Sequence, residues 1–105
     1  MTTETKLARV VRERAELSAR YGDSHPAMIE AAAAESTLRE AAAAEDRTRF
    51  RRALIRALSE ELSDALQVRR ELSAQYGEAH PRMRTVQGVI FALTNAINAE
   101  VHTAG

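Results

Sequence analysis

The sequence predicts an all-α protein of antiparallel helical hairpins joined by tight corners. Three observations carry this. The segments between breaks are rich in Ala, Leu, Glu, Arg and Gln, the good helix formers. Only two Pro and four Gly interrupt the chain, and most of them fall in two short clusters, Gly22–Pro26 and Gly77–Pro81. Those clusters belong to one motif that occurs twice. Residues 16–28 read ELSARYGDSHPAM and residues 71–83 read ELSAQYGEAHPRM, with nine of 13 positions identical at an offset of 55. The chain is therefore read as one helical domain, 1–105, with pseudo-repeats at about 11–46 and 66–101.

The first helix is expected over 3–21, with Leu7, Val10, Val11, Leu17 and Tyr21 at the 3–4 spacing of a packed stripe. The first corner comprises Tyr21, Gly22, His25 and Pro26. Gly22 sits where a helix C′ residue takes the left-handed conformation. Pro26 suits the first turn of the next helix, and His25, preceding a proline, falls near its N-cap. Tyr76, Gly77, His80 and Pro81 repeat this arrangement, and both tyrosines are expected to close the end of the packed seam.

After the first corner the apolar face is thin: Met28, Ile29, Ala32, Leu38 and Ala42. Two Glu-flanked alanine runs, 30–35 and 40–45, resemble semi-rigid helical spacers. The next stripe, Phe50, Leu54, Ile55, Leu58, Leu62, Ala65, Leu66, Leu72 and Tyr76, parallels the first helix. Arg14 and Arg69 occupy the same slot in the two stripes, with stems along the seam or a carboxylate partner that fixes register. The last helix, 81–102, carries Met83, Val86, Ile90, Leu93, Ile97 and Val101, the most apolar stripe in the chain. Gly88 lies off it, where it is expected to allow a close helix crossing.

Two architectures fit. No Gly or Pro occurs from Ala27 to Gln75, which favours three helices with a long central one. That helix of about 50 residues would span roughly 75 Å. Its two hairpins would have little core of their own, and an antiparallel dimer would complete them. Alternatively the chain breaks near Asp46–Thr48 and forms a four-helix bundle.

Composition removes several function classes. Fifteen basic and 15 acidic residues give a net charge of +0, so no global field draws the chain to nucleic acid or anionic lipid. There is no cysteine, hence no disulfide or thiolate chemistry. The charged N-terminal stretch has no apolar run, and no segment is apolar enough to span a membrane, so a cytoplasmic location is expected.

Candidate chemistry is sparse. The histidines are His25, His80 and His102; without H-x-x-x-H spacing they read as turn caps rather than metal ligands. Arg47, Arg49, Arg51, Arg52 and Arg56 form the one basic cluster. It offers a nucleic-acid contact, or an antiparallel pairing face against Glu30, Glu35, Glu40, Glu45 and Asp46 of a second copy. Adjacent carboxylates such as Glu60 and Glu61 have no nucleophile beside them, and Ser18 and Ser73 have no base. No catalytic residue and no cofactor is assigned.

The corner and the helix after it, RYGDSHPAMIEAAAAESTLREAAAAE and QYGEAHPRMRTVQGVIFALTNAINAE, are similar to the coiled-coil segments of bacterial polysaccharide co-polymerases, the chain-length determinant family. The resemblance implies a Tyr-Gly-x-x-His-Pro turn between two helices and, as a function, a stand-alone accessory role in polysaccharide assembly. The residues by themselves lead to a non-enzymatic, self-associating interaction or scaffold protein of bacterial or phage origin. It binds a protein partner through a helix face, and the stripe Met83, Val86, Ile90, Leu93, Ile97, Val101 is the expected contact. A small nucleic-acid-associated regulator is the alternative.

Overall fold

The computed structural model describes residues 2–43 and 47–102. They form four helices and no strand: α1 Thr3–Ser18, α2 Pro26–Ala43, α3 Arg47–Ser73 and α4 Pro81–His102. Thr2 caps α1, its hydroxyl accepting from the Thr5 amide at 3.2 Å.

The long central helix is not formed. At 1.5 Å per residue α3 alone measures about 40 Å, and the whole fold extends only 44 × 29 × 26 Å. The expected break at Asp46–Thr48 partly lies outside the described residues; of it, Arg47 and Thr48 already belong to α3. The physical reason is the inner face of α3, which reaches more apolar surface when both α1 and α4 lie against it than when each end of a rod holds one partner helix.

The core is built from three helices. Leu7, Ala8 and Val11 of α1 meet Leu54, Ala57, Leu58 and Ala65 of α3 and Met83, Val86, Val89 and Leu93 of α4. No polar side chain is buried among the described residues. Helix α2 lies mainly against α1 and gives this cluster only Leu38, although its Met28 and Ala42 are buried. The alanine-rich sequence explains this: α2 is helical by propensity and has few side chains long enough to reach the centre.

Helices α1 and α3, the two repeat copies, run in the same direction. Arg12 meets Glu61, and further along both helices Leu17 and Leu72 line one cleft. The two-helix hairpins of a rod, which would need a second copy to complete their core, are replaced here by three helices of one chain that bury this cluster together.

Candidate interaction surfaces

The repeated motif performs the same local tasks twice. Glu16 accepts from Arg12 and Glu71 from Gln67, each one helical turn back. Ser18 and Ser73, the last residues of their helices, donate to the carbonyls of Ala15 and Arg70 at 2.8 and 2.9 Å. The Leu17 carbonyl accepts from the Arg20 and Tyr21 amides, and the Leu72 carbonyl from those of Gln75 and Tyr76. Acceptors that a helix end leaves orphaned are thus satisfied within the motif.

The histidines cap the helices that follow. His25 Nδ1 accepts from the Ala27 amide and His80 Nδ1 from the Arg82 amide, both at 3.1 Å. Each imidazole stacks on the preceding tyrosine with ring centroids 4.0 Å apart. Arg82 adds a cation over the Tyr76 ring at 5.9 Å. Tyr76 packs against the core, whereas Tyr21 is exposed and closes no seam.

The glycines depart from expectation. No glycine among the described residues has a positive φ. The helices end at Ser18 and Ser73, before the glycines, so neither Gly22 nor Gly77 is a C′ residue. Their carbonyls instead accept from the His25 and His80 amides at 3.0 and 3.1 Å, a turn that a right-handed backbone makes. A Cβ at Gly22, Gly77 or Gly88 would meet nothing within 4 Å, so Gly88 permits no close helix crossing in this chain.

Interhelix ion pairs join the helices at the surface. Arg12 of α1 reaches Glu61 of α3 at 2.9 Å, with side chains only 26% and 16% exposed. Hydrogen bonding to Glu61 raises the Arg12 pKa, against the opposing effect of burial. Arg14 pairs with Glu35 at 3.0 Å, the second of the two readings of that slot, while the equivalent Arg69 lies exposed. Arg39 of α2 meets Glu100 of α4 at 3.1 Å. These long-range partners are invisible to helical periodicity, which reports only neighbours along one helix. Glu35, assigned to pairing between copies, is engaged inside one chain.

The α4 stripe faces inward. Met83, Val86 and Leu93 are core residues and Ile90 and Ile97 pack against them; of the six, only Val101 is exposed. It is therefore not a free partner surface, because the same side chains close the protein's own core. The opposite side of α4 presents Phe91, 70% exposed. Around it the sequence from Thr85 to Ala99 has no charged residue. The stripe reading missed Phe91 because it lies off the inner periodicity; an aromatic on the outer face of an amphipathic helix was the available signal.

An open cleft of about 700 Å³ lies between α1, α3 and α4; its lining includes the apolar Leu17, Val68, Leu72, Val86 and Val89 and the charged Glu13, Glu16, Arg20 and Arg82. A smaller groove of about 450 Å³ lies between α1 and α4 beside Gly88. Of the basic cluster, Arg47, Arg49, Arg52 and Arg56 are exposed along α3, and Arg51, half-buried, lines a small recess with Arg39, Phe50 and Glu100. Among the described residues no group of histidines and carboxylates is placed to hold a metal ion, and no helix is long and apolar enough to cross a membrane. No protein-family model, curated protein or solved structure matches the chain.

Proposed function

We propose that this chain is a non-enzymatic, self-associating helical interaction module, two hairpins folded into a four-helix bundle that present a docking face. The observation that carries the reading is Phe91. A large aromatic side chain stands 70% exposed on an uncharged stretch of helix, in a chain whose composition is 29% charged. Such a residue is costly in water and is typical of the aromatic anchors around which interfaces form. The measurement is sedimentation equilibrium from low micromolar to near-millimolar protein. A mass that rises reversibly above 11.6 kDa supports the reading, and a constant monomer mass removes self-association from it.

The exposed arginines at the start of α3 favour a second reading, a regulator that contacts phosphate backbone through Arg47, Arg49, Arg52 and Arg56. A salt-sensitive mobility shift lost on R52A/R56A would support it; no shift at low salt would exclude it. An accessory role in polysaccharide assembly rests on the Tyr-Gly-x-x-His-Pro turns alone.

A further inference from the structure

The interaction face on α4 carries a projection and a recess one helical turn apart. Arg84, Gly88, Phe91, Asn95 and Asn98 recur at alternating steps of four and three, so they share one face, and all are exposed. The core residues Met83, Val86, Val89 and Leu93 lie on the other side. On the shared face Phe91 projects into solvent. At Gly88 there is no side chain, and the adjoining groove of about 450 Å³ is lined by Gly88 itself, the small residues Ala15, Ser18, Ala19 and Thr85, and Pro81 and Arg84.

A projection and a recess on one surface suit a particular occupant. Under a two-fold axis, residue i meets j while j meets i. Two α4 helices laid antiparallel about a point between Val89 and Ile90 place each Phe91 at the other's Gly88. We propose that the outer face of α4 is a two-fold, antiparallel interface with a second copy of this chain, in which each Phe91 ring enters the groove beside the partner copy's Gly88. This rests on the self-association reading above and specifies its surface and register.

The electrostatics of that register are permissive. Arg84 falls opposite Asn95, whose amide oxygen accepts from a guanidinium. The two Arg84 positions stand about 17 Å apart along the helices at 1.5 Å per residue, beyond the ~10 Å screening length at moderate salt. No acidic residue lines the groove, so an entering ring desolvates no carboxylate. The chain's net charge of +0 leaves no general repulsion between copies. With Arg84 as its one charged residue, the face offers no cluster of cations to nucleic acid, and its projection and groove suit a second copy.

The test uses the whole chain and two variants whose changes lie on this exposed face. Phe91→Ala removes the projection and leaves the recess; Gly88→Leu fills the recess and leaves the projection. Circular dichroism checks that both fold. The expected result by sedimentation equilibrium is a wild-type dimer, each variant associating at least about tenfold more weakly (roughly 1.4 kcal/mol), and recovered association when the two variants are mixed. Recovery follows because the mixed pair keeps one intact contact, Phe91 of the Gly88→Leu chain against Gly88 of the Phe91→Ala chain. If wild type dimerises and both variants dimerise equally well, the copies meet elsewhere: this inference fails and the functional reading stands. If both variants weaken and mixing restores nothing, the two-fold register is wrong. If wild type stays monomeric near millimolar concentration, both the inference and the self-association reading fail.

Discussion

Helix α4 has one face in the core and one exposed, and replacing one residue on each separates their contributions. Leu93 is 0% exposed and sits in the core with Leu54, Leu58 and Val89. Leu93→Ala removes about three CH₂ equivalents at ~0.8 kcal/mol each, about 2.4 kcal/mol of transfer free energy. The cavity left between α1, α3 and α4 adds to this, for a total of about 3–4 kcal/mol. A chain of this size has roughly 5–15 kcal/mol of stability, so the loss is a large fraction of it. With 4–8 °C per kcal/mol, the melting temperature should fall by about 12 °C or more. Phe91→Ala deletes a larger side chain, yet at 70% exposure it should change monomer stability by no more than about 0.5 kcal/mol. The assay is urea unfolding followed by circular dichroism at a dilution where association contributes nothing. The reasoning is refuted if Leu93→Ala unfolds within about 1 kcal/mol of wild type, or if Phe91→Ala costs as much as Leu93→Ala.

Other perturbations probe the turns, the ion pair and the peripheral helix. Gly22→Ala and Gly77→Ala should be neutral or stabilising by about 0.4–1 kcal/mol, because both backbones are open to any L-residue and the unfolded chain loses freedom; a destabilisation beyond 1 kcal/mol would restore the left-handed assignment. His80→Ala should lose a cap and a stacked ring, about 1 kcal/mol by thermal or urea unfolding, whereas His80→Asn should retain most of the capping. A double-mutant cycle on Arg12→Ala and Glu61→Ala should give a coupling of about 1 kcal/mol that shrinks in high salt. Native-state hydrogen exchange should find α2 least protected of the four helices, since it adds only Leu38 to the central cluster; protection equal to that of α3 would contradict this.

Helix content and the positions of Pro26 and Pro81 at helix starts were legible from local chemistry. Proline and capping preferences act over a few residues, and α4 begins and ends where its residues indicate. The division into α2 and α3 was legible only as one of two alternatives, because Asp46–Thr48 offered capping residues while no Gly or Pro in EAAAAEDRTRF forces a helix to stop. Which side of that segment gains more contact is decided by tertiary packing of Leu54, Leu58 and Leu93. The glycines misled for a related reason. A C′ glycine and a glycine in an ordinary turn look alike in sequence, and only the earlier helix ends at Ser18 and Ser73 distinguish them. The α4 stripe was correctly apolar, but periodicity identifies a buried face without saying whether its cover is the same chain or another. The Arg12–Glu61, Arg14–Glu35 and Arg39–Glu100 pairs depend on helix placement, which one-dimensional spacing does not carry.

Small-angle X-ray scattering on an absolute scale, across a dilution series, tests most directly the claim that α4 closes a compact core with one face and meets a partner with the other. The account predicts a dilute particle of 11.6 kDa whose longest dimension is near the 44 Å of the fold, passing reversibly to twice that mass at high concentration. A particle of 11.6 kDa extending to about 75 Å, the length of an unbroken central helix, would contradict it.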